Sequence, residues 1–120
     1  MFADRPNQSD SIDFSHVANI ILTTLPVSND SAWEDYPNVV TFDKKTTKTI
    51  NALVEVWVLA GARGTMTWRP SNQVDETVFA QTNKYRWFPG TSLAKMREGK
   101  CSVEVRLNNI LWTVLEFEVV

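Results

Sequence analysis

The sequence predicts an all-β chain, an antiparallel β-sandwich of about seven short strands with a loose N-terminal arm. Three observations predict it. Runs of alternating apolar and polar residues recur along the chain with turn residues between them. The run from Ile50 to Leu59 is apolar on both faces, as expected of a strand central in its sheet. Residues 101–120 alternate through two runs joined by Asn108-Asn109, the pattern of a terminal β-hairpin.

In chain order, residues 1–13 are rich in Asp, Ser, Asn and Pro and read as a flexible arm ahead of a single domain at 14–120. Phe14 to Leu25 admits two readings. Phe14, Val17, Ala18, Ile21, Leu22 and Leu25 fit a helical stripe, with Asp13 as cap and Pro26 as stop. Ile20, Ile21, Thr23 and Thr24 are β-branched and suit a strand, and the β character of everything downstream favours the strand. Val27 to Pro37 reads as a long loop around Trp33 and Tyr36, Val39 to Phe42 as a short strand, and Asp43 to Lys48 as a polar turn.

Within the central strand Ile50, Ala52, Val54, Val56 and Val58 share one face; Leu53, Trp57 and Leu59 share the other with Asn51 and Glu55. Gly61 to Gly64 reads as a turn, Thr65 to Arg69 as a strand ended by Pro70, and Ser71 to Asp75 as a second turn. Glu76 to Phe88 holds one or two strands broken near Asn83. Pro89-Gly90 turns the chain, and Ser92 to Glu98 makes one short helical turn stopped by Gly99.

The hairpin register decides which residues face outward. Cys101, Val103, Val105 and Leu107 form the core face of its first strand. A two-residue turn at Asn108-Asn109 would oppose Leu107 to Ile110 and carry Glu116 and Glu118 to the core face. A three-residue loop, Asn108 to Ile110, opposes Leu107 to Leu111 and keeps Leu115, Phe117 and Val119 inside. That register is expected, and it turns Trp112 and Val114 outward beside Glu104, Arg106 and Glu116.

Val40-Thr-Phe42, Thr49-Ile-Asn-Ala-Leu-Val-Glu-Val-Trp57, Met66-Thr-Trp-Arg-Pro70 and Gly99-Lys-Cys-Ser-Val-Glu-Val-Arg-Leu-Asn-Asn109, ending in Phe117-Glu-Val119, together resemble immunoglobulin-like domains of small uncharacterised bacterial proteins. The resemblance covers residues 38–120 and lies in pattern alone. It implies a closing hairpin and no catalytic residues. The single cysteine departs from antibody-type domains, since it excludes an inter-sheet disulfide.

Composition excludes several function classes. A chain of 120 residues with net charge −2 and scattered Lys and Arg lacks the footprint of a nucleic-acid binder. No apolar run reaches the roughly 20 residues that span a bilayer, and the polar start lacks a signal core. With one cysteine, this points to a cytoplasmic protein, or to a secreted or periplasmic one if a leader has been removed.

No chemistry is nominated, so no enzyme activity and no cofactor are expected. His16, the only histidine, has no nucleophile-and-acid partner pattern around it. Zinc would need two carboxylates beside His16 and Cys101. Asp30, Glu34 and Asp35 lack the ordered spacing of a calcium loop, and Gly61 and Gly64 do not open a phosphate-binding helix. Cys101 is expected to be an inert core thiol.

The five tryptophans are the remaining signal. Trp57 and Trp68 are expected to fill the sandwich. Trp112, turned outward with Ile110 and Val114 and rimmed by Arg106 and Glu104, is the expected contact surface for a protein partner or a second copy of the chain. The alternative is a carbohydrate-binding module, with Trp33, Tyr36, Tyr85 and Trp87 as flat rings for a sugar.

Overall fold

The computed structural model describes residues 14–25, 27, 32, 33, 36 and 38–120. Nine strands lie among them: β1 His16–Thr23, β2 Thr41–Phe42, β3 Thr49–Val58, β4 Ala62–Arg69, β5 Gln73–Phe79, β6 Asn83–Trp87, β7 Gly90–Ser92, β8 Gly99–Leu107 and β9 Ile110–Val119. The chain is all-β and forms two sheets. One runs β1-β3-β6, with β7 sharing the far side of β3; the other runs β2-β9-β8-β4-β5. The arm expected at residues 1–13 and the acidic trio Asp30, Glu34 and Asp35 lie outside the described residues.

The ambiguous first segment is a strand. β1 pairs antiparallel with β3, and a bulge between Val17 and Asn19 interrupts it. Val39 then donates its N–H to the Leu22 carbonyl on β1, while the Val40 carbonyl accepts from Glu118 on β9. The chain thus crosses from one sheet to the other in a single residue, and β2 runs parallel to the end of β9.

β3 is central, and its two apolar faces have separate uses. Ile50, Ala52, Val54, Val56 and Val58 are fully buried against β8 and β4 in the main core. On the outer face Leu53 is covered by Ile21, Tyr36, Val27 and Trp33, which form a second, small cluster. On the inner face of the five-stranded sheet, Trp68 and Phe42 each meet Phe117 edge to face, at 6.3 and 5.7 Å.

Several boundaries differ from expectation. Gly64 belongs to β4 rather than to a turn, because its missing side chain makes room for the Trp87 and Phe79 rings. The turn is confined to residues 59–61, where Gly61 holds φ +87°. β5 begins at Gln73 rather than after Asp75, and the segment before β8 contributes β7 and a 3₁₀ turn, Leu93–Lys95, capped by Ser92. At the β5 edge a polar lattice ties the sheets together. The Trp68 indole N–H donates to Asp75 at 2.8 Å, the Thr91 hydroxyl to Gln73 Oε1 at 2.7 Å, and Gln73 Nε2 to the Gly90 carbonyl at 3.1 Å.

The hairpin turn corrects the three-residue loop. Leu107 pairs with Ile110 across Asn108 and Asn109, whose φ angles of 52° and 68° make a two-residue turn. Asn108 is pinned further, since its Oδ1 accepts from the Arg63 N–H at 2.9 Å. The conflict that such a turn creates is removed one step later. Arg106 pairs with Leu111 but Val105 with Thr113, so Trp112 is the extra residue of a β-bulge. Below the bulge Val103 faces Leu115, Cys101 faces Phe117 and Gly99 faces Val119. Phe117 and Val119 are buried and Leu115 packs on the core, as the pattern demands.

Candidate binding surface at the hairpin pole

The bulge creates the surface. An extra residue bends its strand and re-aims a side chain, and here it brings the Trp112 ring to the rim between the sheets, 6.4 Å from the ring of His16. His16 in turn stacks on Trp57 at 5.9 Å and meets Phe14 at 5.2 Å. A shallow groove of about 430 Å³ opens beside this aromatic chain, lined by Phe14, Leu59, Ala62, Leu107, Ile110 and Trp112. Its lining is poorly covered: Ile110 is 61 % exposed, Phe14 60 %, Trp112 39 % and Leu59 38 %, and the adjoining Leu111 is 48 % exposed.

The five residues expected to form the contact divide into two neighbouring groups. Ile110 and Trp112 lie at the groove. Val114, Glu104 and Arg106 lie on the flat outer face of the five-stranded sheet, where Val114 pairs with Glu104 and Leu111 with Arg106. The charges there are matched. Arg106 Nη1 donates to Glu104 at 2.8 Å, and Arg69 Nε stands 3.5 Å from the other carboxylate oxygen. The Arg106 hydrogen bond holds the Glu104 carboxyl below the usual carboxylate range; desolvation opposes it and Arg69 adds to it. Phe14, Leu59 and Leu111 are further members of the surface. Leu59, just past the end of β3, was legible from its outward parity, whereas nothing local in the sequence joins Phe14 to Trp112.

Trp57 does not fill the sandwich. Residues of odd number on β3 face outward, and Trp57 lies half-buried beneath His16, with the Lys84 ammonium 5.4 Å from its ring centroid. Its indole N–H is enclosed without a hydrogen-bond partner among the described residues. Trp68 is fully buried, as expected.

The four rings considered for a sugar are separated by the four-stranded sheet. Tyr36 is buried and packs with Trp33 over Leu53 and Ile21 on its outer side. Tyr85 and Trp87 pair with Val56 and Val54 on the inner side. There they close the core edge against Phe79, at 5.2 and 6.2 Å.

His16 Nδ1 is 3.2 Å from the Phe14 carbonyl oxygen, and the neighbouring Ser15 hydroxyl accepts from the Leu59 N–H at 2.9 Å. Cys101 is buried, and that burial raises its thiol pKa against the pull of Lys44. Among the described residues no helix is long and apolar enough to cross a membrane, and no three His, Cys, Asp or Glu side chains gather as a metal site. No protein-family model and no curated protein sequence matches the chain.

Proposed function

We propose that the protein is a non-enzymatic, immunoglobulin-like binding module whose partner protein docks at the hairpin pole. The immunoglobulin-like reading is supported by strand order. The first two strands attach one to each sheet, and the closing hairpin lies between β2 and β4, in the order β2-β9-β8-β4-β5. The function rests on one observation: Trp112, placed at the rim by the bulge, shares a single groove with exposed Ile110, Phe14 and Leu59, and exposed Leu111 adjoins it in sequence. Grouped apolar side chains with an aromatic anchor and a polar rim are the usual make-up of a docking surface. Glu104 and Arg106 form the rim, already paired with each other, so they add selectivity at little desolvation cost.

The test is site-specific photo-crosslinking in the source cell. A photoreactive residue at Ile110 captures a discrete protein, the same residue at Lys45 on the opposite pole does not, and Trp112→Ala removes the Ile110 product while the fold is kept. Identical products from Ile110 and Lys45 would refute the reading. So would unfolding by Trp112→Ala, because Trp112 would then be core.

A further inference from the structure

Both sheets end in open edges, and edges left with unpaired backbone groups are normally blunted by bulges, prolines, charges or cover. Three edges of this protein are blunted. β1 carries the bulge between Val17 and Asn19. β9 carries the Trp112 bulge and is covered at its end by β2. The lane shared by β6 and β7 is broken at Phe88 and Pro89. β5 carries no bulge and no proline, and no described strand covers it. It pairs with β4 from Gln73 to Phe79 without a register shift, and its two charges are already engaged within the sheet, Asp75 by the Trp68 indole and Glu76 by Arg63.

The direction of its backbone groups follows from the ladder, in which alternate residues turn to opposite sides. The Phe79 carbonyl accepts from Gly61 on the β4 side, and the Trp68 carbonyl on β4 accepts from Asn72 on the β5 side. Arg63, opposite Val78, turns its own carbonyl the other way, to Asn108. Gln73, Asp75, Thr77 and Phe79 therefore bond to β4, while Val74, Glu76 and Val78 aim N–H and C=O outward. The side chains of the two valines are 54 % and 56 % exposed.

We infer that this edge pairs with the β5 edge of a second copy of the chain, joining two five-stranded sheets into one. The sequence Val74-Asp-Glu-Thr-Val78 reads the same in both directions at its outward positions. An antiparallel pairing centred on Glu76 sets Val74 against Val78 of the second copy and Val78 against Val74, each pair exchanging two backbone hydrogen bonds. Glu76 then meets its own counterpart. Each carboxylate already has Arg63 Nη1 at 3.4 Å, so the seam is charge-balanced in the order cation, anion, anion, cation. The inference is independent of the hairpin pole, which lies on the opposite edge of the same sheet.

Sedimentation velocity of the full chain at about 100 µM, where a micromolar interface is mostly dimeric, tests it together with three variants. The wild type sediments as a dimer. Val78→Lys weakens it at least about tenfold, while Glu76→Gln, which removes the facing charges, tightens it several-fold. Glu76→Pro removes an outward N–H, a change an edge strand accepts, together with the carboxylate that Glu76→Gln tests separately, and yields a folded monomer; should it fail to fold, Val78→Lys and Glu76→Gln decide. Trp112→Ala leaves the dimer intact. A monomeric wild type overturns the inference, as does a dimer that survives Val78→Lys or one that only Trp112→Ala dissociates. The last result would instead favour the hairpin pole as the self-association face.

Discussion

Gly64→Ala is the sharpest test of how the sandwich closes along β6. Gly64 is buried on the inner face of β4, and a Cβ there would stand 3.0 Å from Trp87 Cζ3, 3.1 Å from Phe79 Cε2 and 3.3 Å from Trp87 Cη2. Carbon atoms prefer separations of about 3.5–4.0 Å, so both rings must withdraw by about half an ångström. Trp87 is half-buried and has some room, but Phe79 is buried and wedged between Trp87 and Tyr85. Overpacking of this kind costs about 1–3 kcal/mol, and the reduced chain entropy of alanine returns up to about 1 kcal/mol. The net expectation is a loss of about 1–2 kcal/mol. In urea titrations with a slope near 2 kcal/mol/M, that lowers the midpoint by about 0.5–1 M at unchanged slope. Repeating the substitution in a Trp87→Leu background isolates the Trp87 share, because the smaller side chain removes two of the three clashes and frees space beside Phe79, so the cost should fall clearly. An equal cost in both backgrounds would refute the packing and return Trp87 to the list of open rings available to a sugar.

Deleting Trp112 should straighten the ladder, since Leu111 would stay opposite Arg106 and Thr113 opposite Val105; thermal denaturation should register a loss of only about 1–2 kcal/mol for its partial burial. Deleting Glu116 from the regular part of β9 shifts Leu115 off the core and should cost several times more. Asn109→Gly suits a turn position at φ 68° and should raise the melting temperature slightly, whereas Asn108→Gly loses the hydrogen bond from the Arg63 N–H and should not. The depressed Glu104 carboxyl contributes stability above its unfolded-state pKa and loses it as pH falls through the lower folded value. Glu104→Gln should therefore flatten the acid limb of the stability–pH curve, read by urea midpoints below the ordinary carboxylate range. Cys101, buried and with a raised pKa, should react with a thiol reagent far more slowly in the native protein than in urea.

The sequence by itself determined the class of the fold and much of the core. Alternation is a local property of the chain, so it reported the buried faces of β3 and β8 and the inward set Leu115, Phe117 and Val119 correctly. It also reported that Trp112 and Val114 turn outward, although by the wrong device. Turn length and bulge have the same effect on parity, one residue gained between two strands, so side-chain pattern alone cannot distinguish a three-residue loop from a two-residue turn with Trp112 bulged. Only pairing with β8 decided that.

The candidate surface was legible in part for the same reason. Trp112 and Ile110 carry the signal themselves, while Phe14, His16 and Leu59 join them only because β1 and β9 lie on the same side of opposed sheets. The identity of the open edges is a tertiary fact as well. In sequence Val74 and Asp75 fall in the expected turn and Glu76 to Val78 in the strand after it, and the outward backbone groups of this segment gain meaning once β5 begins at Gln73 and is the last strand of its sheet. Trp57 shows the limit from the other side. Its place on the outer face of β3 follows from parity, but what covers it, His16 and Lys84 from strands far apart in the chain, was settled only by folding.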